Sequence, residues 1–200
     1  MAAPASVTIK NLTGKWIMNK KKSSPSEPPL TTQEVGWAKR KAIGIATLTL
    51  SVNQTIDDSG ITHIVIEQTA TGGIPGTTES RKLSWELQEH TDHVFGTIKG
   101  RTRWIHLDAI KEPLPEEDYE DTPEDIKFLT EGWIEDESEN GGPNGERHID
   151  SFVRNESVGW TARQIWGFQM IEGARYYVRH IVVKKGSKVH QVKLIYDWKS

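Results

Sequence analysis

The 200-residue chain contains no cysteine. That excludes a disulfide framework, a thiolate nucleophile and any zinc site that relies on sulfur. It also lacks an excess of basic charge: 25 Lys and Arg stand against 28 Asp and Glu, a formal net charge of -3. A general nucleic-acid binder needs a cationic surface, so no nucleic-acid partner is expected. No apolar run approaches the length that crosses a bilayer, and Met1 to Lys10 has none of the apolar character of a secretory leader. No membrane partner is therefore expected, the expected location is cytoplasmic, and the Asn-x-Ser/Thr sequons at Asn11, Asn53 and Asn155 are read as incidental. No glycine-rich phosphate loop is present. His90 and His93 flank a turn, and the remaining histidines form no ligand-spaced set, so no metal and no cofactor is expected. Tyrosine and phenylalanine are sparse at four each, whereas tryptophan reaches eight. Indole combines a large apolar area with one N–H donor, which suits a cavity wall that must also hydrogen-bond something.

What is present is mainly strand signal. Leu12 to Asn19 reads as a first strand, and a basic, Ser/Pro-rich loop follows over Lys20 to Pro29. Thr31 to Ala46 reads as a short or broken helix, opened by a Thr31/Glu34 capping box and weakened by Gly36 and Gly44. From Ala46 to Asn53 the apolar residues fall on even positions, a half-buried strand. Strand patterns continue over Ile61 to Ala70, Thr77 to His90, His93 to Leu107, Ile126 to Glu135, Arg147 to Ser157, Gly159 to Glu172, Arg175 to Lys185 and Lys188 to Trp198. Most connections are short, which predicts an antiparallel meander closing on itself as one domain over residues 1–200. The fold class is thus all-β, an up-and-down barrel of about ten strands with a helical lid over residues 20–45. An acidic loop (residues 108–125) and a polar loop (136–146) interrupt it. Such runs read as solvated loops, or alternatively as a mobile flap over the barrel mouth.

Gly14-Lys15-Trp16, on the first strand, is a motif with which many small-ligand barrels begin. The glycine permits close backbone approach and the indole plugs the closed end. With the helical insert and the strand count, the chain resembles the lipocalin and fatty-acid-binding-protein superfamily, and the fatty-acid-binding branch more closely. That branch ends on an Arg-x-Tyr pair that clamps a carboxylate. Here the matching stretch is Leu194-Ile195-Tyr196-Asp197, with leucine in place of the arginine, so the resemblance implies a neutral or weakly acidic ligand rather than a fatty acid. Gly36-Trp37, Arg40 to Gly44, Gln68 to Ile74 and Trp160 to Phe168 are similar to a fungal group of small lipocalin-like proteins. The best-described members of that group are hetero-Diels–Alderases that join a tropolone-derived quinone methide to a humulene-type sesquiterpene.

If even-numbered residues face inward on Gly159 to Glu172, the lining is Trp160, Ala162, Gln164, Trp166, Phe168 and Met170. The last two strands are expected to add Tyr176, Val178, His180 and Val182, then Val192, Leu194, Tyr196 and Trp198, with Trp85 and Trp133 extending the wall. Gln164, His180 and Tyr196 are the candidate catalytic donors. Trp85, Trp133, Trp160, Trp166, Phe168, Tyr176 and Leu194 are candidate substrate contacts. Arg101 and Arg103 share a face that is either solvated or, if turned inward, the strongest electrophilic group of the cavity. Two functions remain open. One is a cofactor-free pericyclase acting on small hydrophobic substrates, in which an oriented complex replaces a two-body collision. The other is a non-catalytic carrier or sensor of a lipophilic ligand. Neither reading sets the oligomeric state.

Overall fold

Ten antiparallel strands form one sheet in the order β4-β3-β2-β1-β10-β9-β8-β7-β6-β5. They are β1 (Gly14–Met18), β2 (Leu48–Ile56), β3 (Thr62–Ala70), β4 (Thr78–Lys82), β5 (Gln88–Asp92), β6 (Gly96–Ile105), β7 (His148–Asn155), β8 (Trp160–Ile171), β9 (Ala174–Lys185) and β10 (Lys188–Trp198). The computed structural model describes residues 1–72, 76–116 and 118–200; Gly73 and Ile74, from the stretch singled out in the sequence, lie outside the described residues. The sheet curls into a nearly closed barrel. Its two end strands, β4 and β5, are not hydrogen-bonded to each other, and this leaves one seam.

The Gly-x-Trp motif seals one end. Gly14 sits at φ 141°, and a Cβ there would stand 2.7 Å from Cζ3 of Trp198 and 2.8 Å from the Ser200 carbonyl oxygen. Only glycine tolerates both the dihedral and the approach. Trp16 is fully buried, its indole N–H donating to the Leu12 carbonyl at 3.0 Å. Around it pack Leu50, Val52, Ile64, Ile66, Phe168, Tyr177 and Tyr196, drawn from strands on every side, and this cluster is the barrel interior.

Several sequence expectations need correction. The short or broken helix expected over Thr31–Ala46 is broken, into α1 (Glu27–Thr32), which starts earlier than expected, and α2 (Trp37–Ile45). Glu34 lies at φ 58°, outside helical space, so no Thr31/Glu34 box forms; the Thr31 hydroxyl donates back to the Glu27 carbonyl instead. The strand expected over Thr77–His90 breaks at Trp85, held at φ 60°, and yields the separate strands β4 and β5 on either side of the seam.

The strand expected over Ile126–Glu135 is a helix, α3 (Pro123–Thr130). Its start decides it: Pro123 occupies the first turn, the Thr122 hydroxyl accepts from the Asp125 N–H, and the Asp125 carboxylate accepts from the Thr122 N–H. That reciprocal cap outweighs the strand preference of Ile126 and Phe128. With a 3-10 turn over Leu107–Lys111, α3 covers the outer face of β8–β10 and builds a second apolar cluster there from Leu129, Trp133, Ile165, Tyr176, Val178 and Ile195.

The acidic loop is exposed at Glu112, Asp118, Glu120 and Glu124, as expected of a solvated run, but it is also tied down. Asp118 pairs with Arg154 (2.7 Å), Asp121 with Arg163 (2.5 Å), Asp125 with Lys184 (2.7 Å) and Glu116 with Arg101 (3.0 Å). Tyr119 and Leu114 pack on Phe152 beneath it. The loop is a strap fastened across the outside of β6–β9 by cations that those strands present outward.

Candidate functional site

Turn length fixes which side chains enter the barrel. The two-residue turn Glu172–Gly173 pairs Ile171 with Ala174, so every even residue of β8 faces an odd residue of β9. Gln164 lies opposite Ile181, Trp166 opposite Arg179 and Phe168 opposite Tyr177. The inner face of β8 is even-numbered, as expected. On β9 it is odd-numbered, and this reverses the expected lining: Tyr176, Val178, His180 and Val182 point outward, under α3. The turn between Lys185 and Lys188 flips parity again, so Leu194 and Tyr196 of β10 face inward.

The odd face of β9 brings a cation into the core. Arg179 is 4 % exposed. Its Nε donates to the Tyr177 hydroxyl at 2.9 Å, its guanidinium lies 3.9 Å from the centre of the Trp166 ring, and Nη1 stands 3.5 Å from Glu79 Oε2. Tyr196 stacks on Tyr177 at 5.4 Å between ring centres. Burial alone would lower the Arg179 pKa, but the Tyr177 and Tyr196 oxygens and the Glu79 carboxylate outweigh it and hold the guanidinium above its ordinary value. Burial likewise pushes Glu79 up, yet Arg179 and Arg81 overcome it and keep the carboxyl below its usual range. Burial raises the pKa of both tyrosines, so at neutral pH they are O–H donors. Nearby, the Trp166 indole N–H donates to Gln164 Oε1 at 3.0 Å, which occupies the amide oxygen and leaves the Gln164 NH2 as a donor.

Beside this cluster, a cavity of about 360 Å³ opens at the seam between β4 and β5–β6. Arg81, His90, Ile98, Gly100, Thr102 and Val153 are among its lining residues. Arg81 belongs to both regions, because its Nη2 lies 3.4 Å from the same Glu79 Oε2 that Arg179 approaches. Arg81 Nε, His90 Nε2 and Arg179 Nη2 are buried with no hydrogen-bond partner among the described residues.

The remaining sequence candidates fall into three places. Trp160, Trp166, Phe168 and Leu194 face inward, Trp160 against Ile98, Val153 and Val183 at the end of the barrel away from Trp16. His180, Tyr176 and Trp133 belong to the outer cluster. There His180 Nδ1 lies 2.6 Å from the Phe128 carbonyl, so it must donate, and Nε2 accepts from the Gln169 amide at 3.0 Å. Gln169 uses the same NH2 to reach the Glu131 carbonyl at 3.0 Å, which fixes its orientation. The ring stacks on Phe128 and is tilted against Trp133, and burial lowers its pKa to about 4. His180 is a satisfied histidine of the outer wall, away from the cavity interior.

Trp85, Arg101 and Arg103 lie at the strap, and Arg101 also lines the seam cavity. Both arginines stack on Trp85, and Arg103 shares Asp150 with the fully buried Arg163. Sequence reasoning missed Glu79, Arg81, His90, Tyr177 and Arg179. The signal for the last two was the two-residue turn, which assigns odd positions of β9 to the interior.

No family model matches the chain. The probable pericyclase scpY of Mollisia scopiformis is 34% identical over 201 aligned positions, covering 98% of this chain and 94% of that protein. The pericyclase pydY of an Acremonium species is 30% identical over 199 positions, covering 99% and 97%. Among solved structures, a Schistosoma mansoni fatty-acid-binding protein in complex with arachidonic acid superposes with TM-score 0.52 at 10% identity, covering 97% of this chain and all of that one. Echinococcus granulosus fatty-acid-binding protein 1 gives 0.51 at 12% identity, covering 94% and 97%. At such identities these two structures speak for the fold, whereas the two curated relatives extend over almost the whole sequence. The chain belongs to a fungal family of lipocalin-like β-barrels that includes proteins named pericyclases.

Proposed function

We propose that the barrel is a pericyclase, taking up a small apolar substrate and directing a cycloaddition inside the aromatic interior. The observation that carries this reading is the near-full-length identity to two proteins named pericyclases. The interior chemistry supports it. A cycloaddition needs no nucleophile or proton relay; it needs the reacting π-systems held face to face, and confinement of that kind can contribute roughly 7–11 kcal/mol. Trp166, Phe168, Tyr177 and Tyr196 form a dry aromatic cluster packed behind the seam cavity, and they are not among its lining residues. The Gln164 amide, the Tyr196 hydroxyl and the Arg179 guanidinium supply donors for an oxygen on the electron-poor component. Drawing electron density onto that oxygen lowers the acceptor orbital. A preorganised donor is worth up to about 3 kcal/mol at a full oxyanion and less for this partial charge.

The finer form of the reading is a hetero-Diels–Alder addition of a tropolone quinone methide to a humulene-type sesquiterpene, with Gln164 and Tyr196 as donors to the quinone-methide oxygen. A cavity of about 360 Å³ lies at the low end of small-molecule sites. It holds one such component, and the second must then reach it through the seam. The same volume favours the second reading, a carrier of one lipophilic ligand.

The two readings separate on turnover. Protein is mixed with a quinone-methide precursor and a panel of terpenes and polyenes, and products are resolved on a chiral column. A pericyclase gives adduct faster than buffer and in one enantiomeric form. Gln164→Leu then slows it about tenfold while ligand retention changes less than about twofold. A carrier retains one ligand unchanged and gives the racemic product of the buffer reaction.

A further inference from the structure

Several buried nitrogens around the seam cavity have no acceptor among the described residues. Lys82 is paired with Glu86 at 2.7 Å, and Arg101 with Glu116 at 3.0 Å. Arg81 and Arg179 share a single carboxylate: both approach the same oxygen, Glu79 Oε2, at 3.4 and 3.5 Å. Glu79 Oε1 is occupied by the Gln68 amide at 2.5 Å. Asp92 also attracts Arg81 from the neighbouring strand, but its Oδ1 is committed to the N–H groups of Val94 and Phe95 at 2.6 and 2.7 Å. The two guanidiniums therefore converge on one carboxylate oxygen, with the Asp92 charge also near Arg81, and each keeps a buried N–H without an acceptor. His90 Nε2 and Arg101 Nε are two further such nitrogens on residues that line the cavity. Buried donors and charges left unmatched are costly and rare, and they collect where a ligand completes them.

We infer that the seam cavity binds the anionic oxygen of a weakly acidic, conjugated ligand, an ionised enol or a carboxylate, with Arg81 and His90 as its direct partners and Arg179 behind them. This rests on the reading of the interior as a small-molecule site and narrows its substrate class from neutral or weakly acidic molecules to acids. The missing acceptor is then brought by the ligand, whose oxygen the guanidinium N–H groups complete. Glu79 ties Arg81 to Arg179, so charge neutralised at the cavity wall is felt by the guanidinium stacked on Trp166. The site differs from a terminal-strand carboxylate clamp, since Leu194 stands where such a clamp would carry arginine. Its cations come from β4 and β9 instead.

The test is a binding measurement without turnover, so its failure is distinct from failure of the pericyclase reading. Quenching of tryptophan fluorescence is followed with tropolone and with its O-methyl ether, which share one shape and differ in acidity. Benzoate and methyl benzoate form the carboxylate arm. The expected result is that at least one acid binds about tenfold or more tightly than its ether or ester. Which pair shows it assigns the oxygen to an enol or to a carboxylate. Arg81→Gln is expected to reduce that preference to about threefold or less while the neutral partner's affinity stays unchanged. Arg81→Lys, which keeps the charge, and His90→Gln, which removes one donor, are expected to retain part of it; they stand in if Arg81→Gln does not fold. Equal binding of acid and neutral partner, an acid preference that survives both Arg81→Gln and His90→Gln, or no saturable binding of any of the four probes would each overturn the assignment.

Discussion

Acid should loosen this protein through one histidine of the outer wall. The neutral form of His180 is fully matched: Nδ1–H donates to the Phe128 carbonyl and Nε2 accepts from an amide that Gln169 cannot turn round, because Glu131 holds it. A second ring proton would point at that NH2 group in a site with no solvent exposure. The folded pKa is accordingly depressed from 6.5 to about 4, chiefly by burial. A depressed histidine pKa means that the unfolded chain takes up the proton first. Its contribution is whole above pH 6.5 and drains away as the pH falls from 6.5 towards 4. At 1.36 kcal/mol per pH unit the full effect is about 3 kcal/mol, of which about 2 kcal/mol is lost between pH 7.5 and 5.0. The carboxyls of half-buried Glu79 and buried Asp125 are held below their ordinary values, so neither titrates between pH 7.5 and 5.0. The assay is urea unfolding followed by tryptophan fluorescence at pH 7.5 and 5.0, comparing wild type with His180→Asn. Asparagine keeps a donor towards Phe128 and cannot titrate. The wild type should lose about 2 kcal/mol more than the variant. Parallel losses, or an NMR titration placing His180 at pH 6 or above, would refute the reasoning.

Two further outcomes follow from the packing. Gly14→Val drives a branched side chain into the Trp198 ring at a φ that valine does not adopt. It should cost at least about 2 kcal/mol, read as a fall in urea midpoint with unchanged slope. Arg163→Met leaves Asp150 and Asp121 short of a counter-charge beneath the strap and should destabilise the protein by about 3 kcal/mol. Amide exchange over residues 112–125 is expected to accelerate more than in β1 or β2, and uniform acceleration would contradict the role of Arg163 as the strap's main fastener.

Much of the barrel was legible because alternation over β2, β8 and β10 is a local signal that core burial reinforces. The inward set of β8, from Trp160 to Phe168, came directly from it. The β9 lining was inverted for one reason: parity was carried across Glu172–Gly173 without accounting for the turn, and a two-residue connection exchanges odd for even. The α3 segment was taken for a strand, to which Ile126 and Phe128 on either side of Lys127 lend themselves, whereas the Thr122–Asp125 cap outweighs that preference within so short a stretch. The interior charges were hidden by composition. An arginine within a strand ordinarily marks the solvent face, and what brings Arg179 inside is a carboxylate 100 positions away in sequence. Such pairings belong to the tertiary fold. The strap escaped notice likewise, since its acids look solvated until the outward arginines of β7 and β8 are set opposite them.

The place of β1 in the sheet has a consequence for how the molecule comes to exist. This short strand is hydrogen-bonded on one side to β2 and on the other to β10, and the same closure links Met1 to Asp197, 196 positions apart. On a ribosome, β10 emerges after the nine other strands. Until then β1 is a bare edge, and the hydrophobic face bearing Trp16 and Leu50 has no lid. Closure so remote in sequence is slow, and an open sheet edge of this kind is what chaperones bind and aggregates grow from. Nascent chains stalled before β10 should accordingly associate with holdases, and yield during expression should depend on the rate of barrel closure as much as on the stability of the finished barrel.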